Sequence, residues 1–102
     1  MKALIQLLIT CETLLRSVGE KFWANKIKKV LEKGGENLDL CLLKEVLSWY
    51  GSMGSFNDLM ISEHNDHVLN GKDEEKLNDE LANIRSAIYI EAVRKTMGNT
   101  NR

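Results

Sequence analysis

Proline is absent from this chain, so nothing in it forces a kink or supplies a polyproline linker, and the seven glycines carry the punctuation between helices. Cysteine occurs only twice, at Cys11 and Cys41, whereas small disulfide scaffolds carry more cysteines at closer spacing. Both fall within apolar helical patterns, so the expectation is two buried free thiols and a reducing compartment. No stretch approaches the roughly 20 apolar residues that a membrane-spanning helix requires. The apolar run from Met1 to Cys11 is short, interrupted by Gln6 and followed by no Ala-x-Ala site, so it does not read as an export signal. A cytoplasmic protein with no membrane contact is expected.

An excess of one charge is lacking too. The net charge is −1, which removes the bulk positive field that gathers nucleic acid. The balance hides an asymmetry: residues 1–33 carry seven bases against three acids, and residues 57–80 carry eight acids against two bases. What remains, at 102 residues with ordinary apolar content, fits one domain with one core. The reading is a single helical domain over residues 1–97 and a flexible polar tail over 98–102.

Periodicity supplies the fold class. Leu4, Leu8, Cys11, Leu15 and Val18 recur every three or four residues and predict a helix over about 2–18, with a face broad enough to pack against two or more others. After Gly19, the residues Phe22, Trp23, Ile27, Val30 and Leu31 define the inner side of a second helix whose other side is lysine-rich. Gly34 and Gly35 stop it, and Asn37 or Asp39 can cap a third helix to about Tyr50, with Leu40, Leu43, Val46, Leu47 and Tyr50 inward. Asp73 can open the last helix, lined by Leu77, Leu81, Ile84, Ile88 and Ala92. The expected architecture is all-α: a compact bundle of about four main helices with an irregular segment near residues 51–72.

That irregular segment begins with the one stretch that reads as a specified local shape. Trp49, Gly51, Gly54, Phe56 and Asn57 combine aromatics, backbone freedom and turn formation into a corner. Residues 56–61 fit either a short helical turn or, over Leu59–Ile61, an extended run. Residues 62–72 lack periodicity and read as a solvated surface loop.

Chemistry-bearing residues are few. His64 and His67 lie three apart in a loop beside Glu63 and Asp66, not at the four-residue helical spacing of zinc motifs, so no metal and no cofactor is expected. No nucleophile elbow or phosphate-binding glycine loop occurs, so no catalytic residue is assigned and the protein is not expected to be an enzyme. The lysines of the second helix could meet phosphates and Trp23 or Phe22 could stack, but the spacing places Trp23 with Ile27, Val30 and Leu31 on a core stripe, so direct nucleic-acid binding is not expected. The better candidates are Asp58, Glu63, Asp66, Asp73 and Glu74, carboxylates able to occupy a cationic groove on a protein partner.

The run Leu47-Ser48-Trp49-Tyr50-Gly51-Ser52-Met53-Gly54-Ser55-Phe56-Asn57-Asp58-Leu59, with Val18-Gly19-Glu20-Lys21-Phe22-Trp23 before it and Ile84-Arg85-Ser86-Ala87-Ile88-Tyr89 after it, resembles a family of small all-helical bacterial immunity-type proteins. Some of these are encoded beside contact-dependent or secreted toxins, and the similarity covers roughly residues 4–93. The resemblance implies an antitoxin that binds a cognate toxin domain, basic and often a nuclease, and blocks its active site or its access to a target. The alternative is a small helical regulator or adaptor acting through protein contact. The oligomeric state is not legible.

Overall fold

The computed structural model describes residues 1–51 and 55–100. Four α-helices run Lys2–Ser17 (α1), Leu-rich and central, Lys21–Gly34 (α2), Leu40–Ser48 (α3) and Glu74–Thr100 (α4), and no strand occurs among the described residues. Two single 3-10 turns, Phe56–Asp58 and Glu63–Asn65, lie in the long connection between α3 and α4. Helix α1 packs on both α2 and α4, and α3 packs on α4 and more lightly on α2. The expected all-α bundle is what forms.

The α1 stripe is fully buried: Leu4, Leu8, Cys11, Leu15 and Val18 have no solvent exposure. Side-chain carboxylates cap the later helices. Asp39 Oδ1 accepts from the Leu42 amide at 2.9 Å, and Asp73 Oδ1 accepts from the Glu75 and Lys76 amides at 2.9 and 3.4 Å. Glu20 Oε2 accepts from the Trp23 amide at 3.0 Å, a cap the sequence reading missed because Glu is an unusual residue there. Gly34 ends α2 where the chain returns closely, and a methyl group there would displace the tip of the Leu38 side chain.

Two side-chain placements need correction, and one open choice is resolved. Phe22 does not join the core: it is 63% exposed, because α2 turns Trp23 inward and a neighbour about 100° around the helix cannot follow it. Cys41 is exposed while Cys11 is buried, since α3 points Leu42, Leu43 and Val46 inward and leaves Cys41 on the opposite side with Lys44, Glu45 and Ser48. Residues 56–61 divide between the two forms left open, a 3-10 turn over Phe56–Asp58 and extended backbone at Leu59. Helix α4 also continues through residues 98–100, which the sequence reading gave to the tail. Asn101 and Arg102 lie outside the described residues, as do Ser52, Met53 and the Gly54 of the corner motif.

With 27 residues at about 1.5 Å each, α4 is about 40 Å long. That length accounts for the 48 × 25 × 19 Å shape of the molecule.

Candidate interaction surface

The corner after α3 is built on Phe56, which is completely buried. Its ring centroid lies 5.0 Å from Trp23, 6.0 Å from Trp49 and 5.7 Å from Tyr50, the last two edge-on. Gly51 turns the chain with φ +93°, a backbone that side chains rarely adopt, and the Phe56 amide donates to the Trp49 carbonyl at 2.8 Å to close the corner. Trp49, Gly51 and Phe56 thus build the corner, while Asn57 is exposed beside Gly51 and Tyr50.

Helix α4 then holds the chain that follows. Arg85 Nη1 donates to the carbonyls of Phe56 at 3.0 Å and Leu59 at 2.8 Å. Asn78 pairs with both polar groups of the Ile61 backbone, accepting from its amide at 2.8 Å and donating to its carbonyl at 2.9 Å. Tyr50 returns the contact by donating to the Arg85 carbonyl at 2.8 Å. Burial lowers the Arg85 pKa, and Tyr50, Cys11 and Asp58 oppose that shift. Replacing Asn78 by Ala leaves two partly buried backbone groups without partners, so a loss of about 2–3 kcal/mol is expected, with faster amide exchange at Ile61 before global unfolding. Unchanged exchange at Ile61 would contradict this.

A second anchorage corrects the reading of residues 62–72 as wholly solvated. His67 is only 5% exposed. The Ser62 amide donates to His67 Nδ1 at 3.0 Å, which leaves Nε2 to carry the proton and donate to Glu20 Oε1 at 3.0 Å. One residue on, the Val68 amide donates to the Val18 carbonyl at 2.9 Å. The histidine–carboxylate pair superficially resembles half of a catalytic dyad. Its basic nitrogen, however, is already occupied by a main-chain amide, so the pair fastens the loop to the start of α2 and offers no free base.

All five acids named from the sequence are exposed. Asp58 ends the first 3-10 turn, Glu63 opens the second, and Asp66 follows it in the left-handed region at φ 62°. Asp73 is the α4 cap and Glu74 its first residue. They line one continuous segment without converging, and among the described residues no group of three or more His, Cys, Asp and Glu side chains is placed to hold a metal. His64 is exposed on the second turn and does not join His67. Among the described residues the ion pairs are Arg16–Glu12 and Arg94–Glu91, and the neutral His67 meets Glu20 through a hydrogen bond, so Glu63, Asp66, Asp73 and Glu74 stand without a cationic partner. Sequence reasoning missed Glu20, Asn78 and Arg85. For the last two, a signal existed in their seven-residue spacing beside the inner stripe of α4.

Residues 16–70 match a family described as Domain of unknown function (DUF6966). The chain belongs to this family. The DUF6966 match runs from the end of α1 to just before α4, and it contains Glu20, Trp23, Trp49, Phe56, Ser62 and His67 but neither Asn78 nor Arg85. Comparison with curated proteins and with solved structures found no match. Among the described residues, no helix is long and apolar enough to cross a membrane.

Proposed function

We propose that the protein is an immunity protein that neutralises a basic toxin domain by occupying its cationic substrate groove. One observation carries this reading: a fastened segment displays four carboxylates, those of Glu63, Asp66, Asp73 and Glu74, that form no ion pair among the described residues. Held backbone lowers the ordering cost of association, and unpaired acids attract a basic surface from a distance. Trp49 and Phe56 are 3% and 0% exposed, so they brace the segment from behind and do not touch a partner. The apolar anchors within the acidic rim are Met60 and Val68, both more than half exposed. Met60 is held between Leu59 and Ile61, whose backbones α4 binds, and its own carbonyl accepts from Asn65 Nδ2 at 3.0 Å. The action is steric and electrostatic, with no turnover.

The test is coexpression with the gene adjacent to this one, scoring growth rescue and copurification. Asp73 is unsuitable for charge reversal because it caps α4, and Asp66 has a left-handed backbone that tolerates Asn better than Lys. Glu63→Lys with Asp66→Asn and Glu74→Lys is therefore expected to keep the fold. This variant should weaken the complex about a hundredfold, chiefly through slower association at low salt. A neighbour with no toxicity, or a complex indifferent to these changes, would remove the proposal.

A further inference from the structure

On the other side of the charge balance, α2 presents a face that the core does not use. Phe22, Lys26, Lys29 and Lys33 follow one another at spacings of four, three and four, so they lie on one line of the helix, about 16 Å long. Phe22 is 63% exposed. Its ring stands edge-on to Trp23 with centroids 5.4 Å apart, and Lys26 Nζ lies 5.2 Å from its centroid. The same ammonium lies 5.1 Å from the Trp23 centroid, so two rings hold this cation in place. None of the three lysines has an ion pair among the described residues, and the one acid of α2, Glu32, flanks the line three residues after Lys29. The line starts beside the Glu20–His67 junction and runs away from it, so Lys33 stands farthest along the helix from the acidic loop.

We infer that this line binds a single-stranded polynucleotide, with a base stacked on Phe22 and successive phosphates on Lys26, Lys29 and Lys33. An exposed aromatic at the head of a row of unpaired cations is the combination that single strands require, since the ring takes any base and the row follows the backbone. The expectation against nucleic-acid contact rested on the near-zero net charge and on the core placement of the α2 stripe around Trp23, whereas Phe22 stands outside that stripe beside a local row of lysines. Three cations on one helix also suit a flexible strand better than a bilayer, which needs a wider apolar face than one phenyl ring supplies. This activity belongs to the face opposite in charge to the one proposed for the toxin, and neither depends on the other.

The experiment uses the whole chain and a fluorescein-labelled oligothymidylate of about 20 nucleotides, read by anisotropy, with oligouridylate, duplex DNA and phosphatidylglycerol vesicles as comparison probes. Binding should weaken with salt along a log–log slope of about −2, as three phosphate contacts predict for a single strand. Lys29→Glu with Lys33→Glu should reduce affinity at least tenfold and flatten that slope. Phe22→Ala should cost about tenfold and leave the slope unchanged, because stacking releases no counterions. Glu63→Lys should not weaken binding. Far-ultraviolet circular dichroism checks that each of these surface variants is folded. Absence of binding, equal affinity of Phe22→Ala and the parent, or binding to vesicles in place of oligonucleotides would overturn the inference.

Discussion

Replacing Phe56 by Ala should remove about 3–5 kcal/mol of folding stability, measured by urea denaturation. The side chain is wholly enclosed and meets three other aromatic rings, so truncation opens a cavity where α2, α3 and the corner converge. A domain of this size has about 5–15 kcal/mol in total, so the variant should stand near the edge of folding at 37 °C. Phe56→Leu keeps most of the apolar volume and should cost about 1–2 kcal/mol. The ordering of the two variants is as informative as their size. A loss below about 1 kcal/mol for Phe56→Ala would mean that the corner is not packed as described.

The second large effect is expected at alkaline pH. Burial pushes the Cys11 thiol from 9.0 up to about 12, despite the opposing pull of Arg85. The protonated thiol is therefore favoured in the folded protein. Below pH 9 this contribution is fully present; between pH 9 and 12 the unfolded chain loses its proton while the native one keeps it, so stability falls as pH rises. Three pH units correspond to about 4 kcal/mol. Burial raises the Tyr50 hydroxyl as well, with Cys11 adding to the shift and Arg85 opposing it, so Tyr50 acts in the same direction from pH 10 upward. Stability measured from pH 8 to 11 should decline steeply, and Cys11→Ala should lose less across that range than the parent, whatever its stability at pH 8. Parallel declines in the two proteins would show that Cys11 is not the source. Cys41 is exposed and should react readily with thiol reagents in the folded protein, whereas Cys11 should react only on unfolding.

The helices were legible because their signals are local. The α1 stripe repeats over five positions, and all five are enclosed. Asp39 and Asp73 advertise their caps within three residues of the amides they bind. The errors arose where one position around a helix or one distant partner decides the outcome. Phe22 and Trp23 are equally apolar neighbours, but Trp23 falls in line with the buried Ile27 and Val30 and meets Trp49 and Phe56, while Phe22 falls in line with lysines. His67 lies in a segment with the composition of a solvated loop, yet its partner Glu20 is 47 residues away, beyond the reach of any spacing rule. The acids of the proposed interaction surface were visible as a charge run. What holds that run in place was not, because Asn78 and Arg85 act on main-chain groups, which sequence does not distinguish.

The grip of α4 on residues 56–61 also bears on how the protein is made. During translation the Trp49–Phe56 corner leaves the ribosome well before Arg85 and Asn78, so carbonyls destined for those side chains spend that interval bonded to water. Helices α1 and α2 can meet early, whereas α3 and the segment proposed to face a partner acquire their final form only once α4 has emerged. Nascent chains paused before α4 should therefore remain open to protease between residues 55 and 70, and a partner that reads the finished shape would ignore them until synthesis had passed that point.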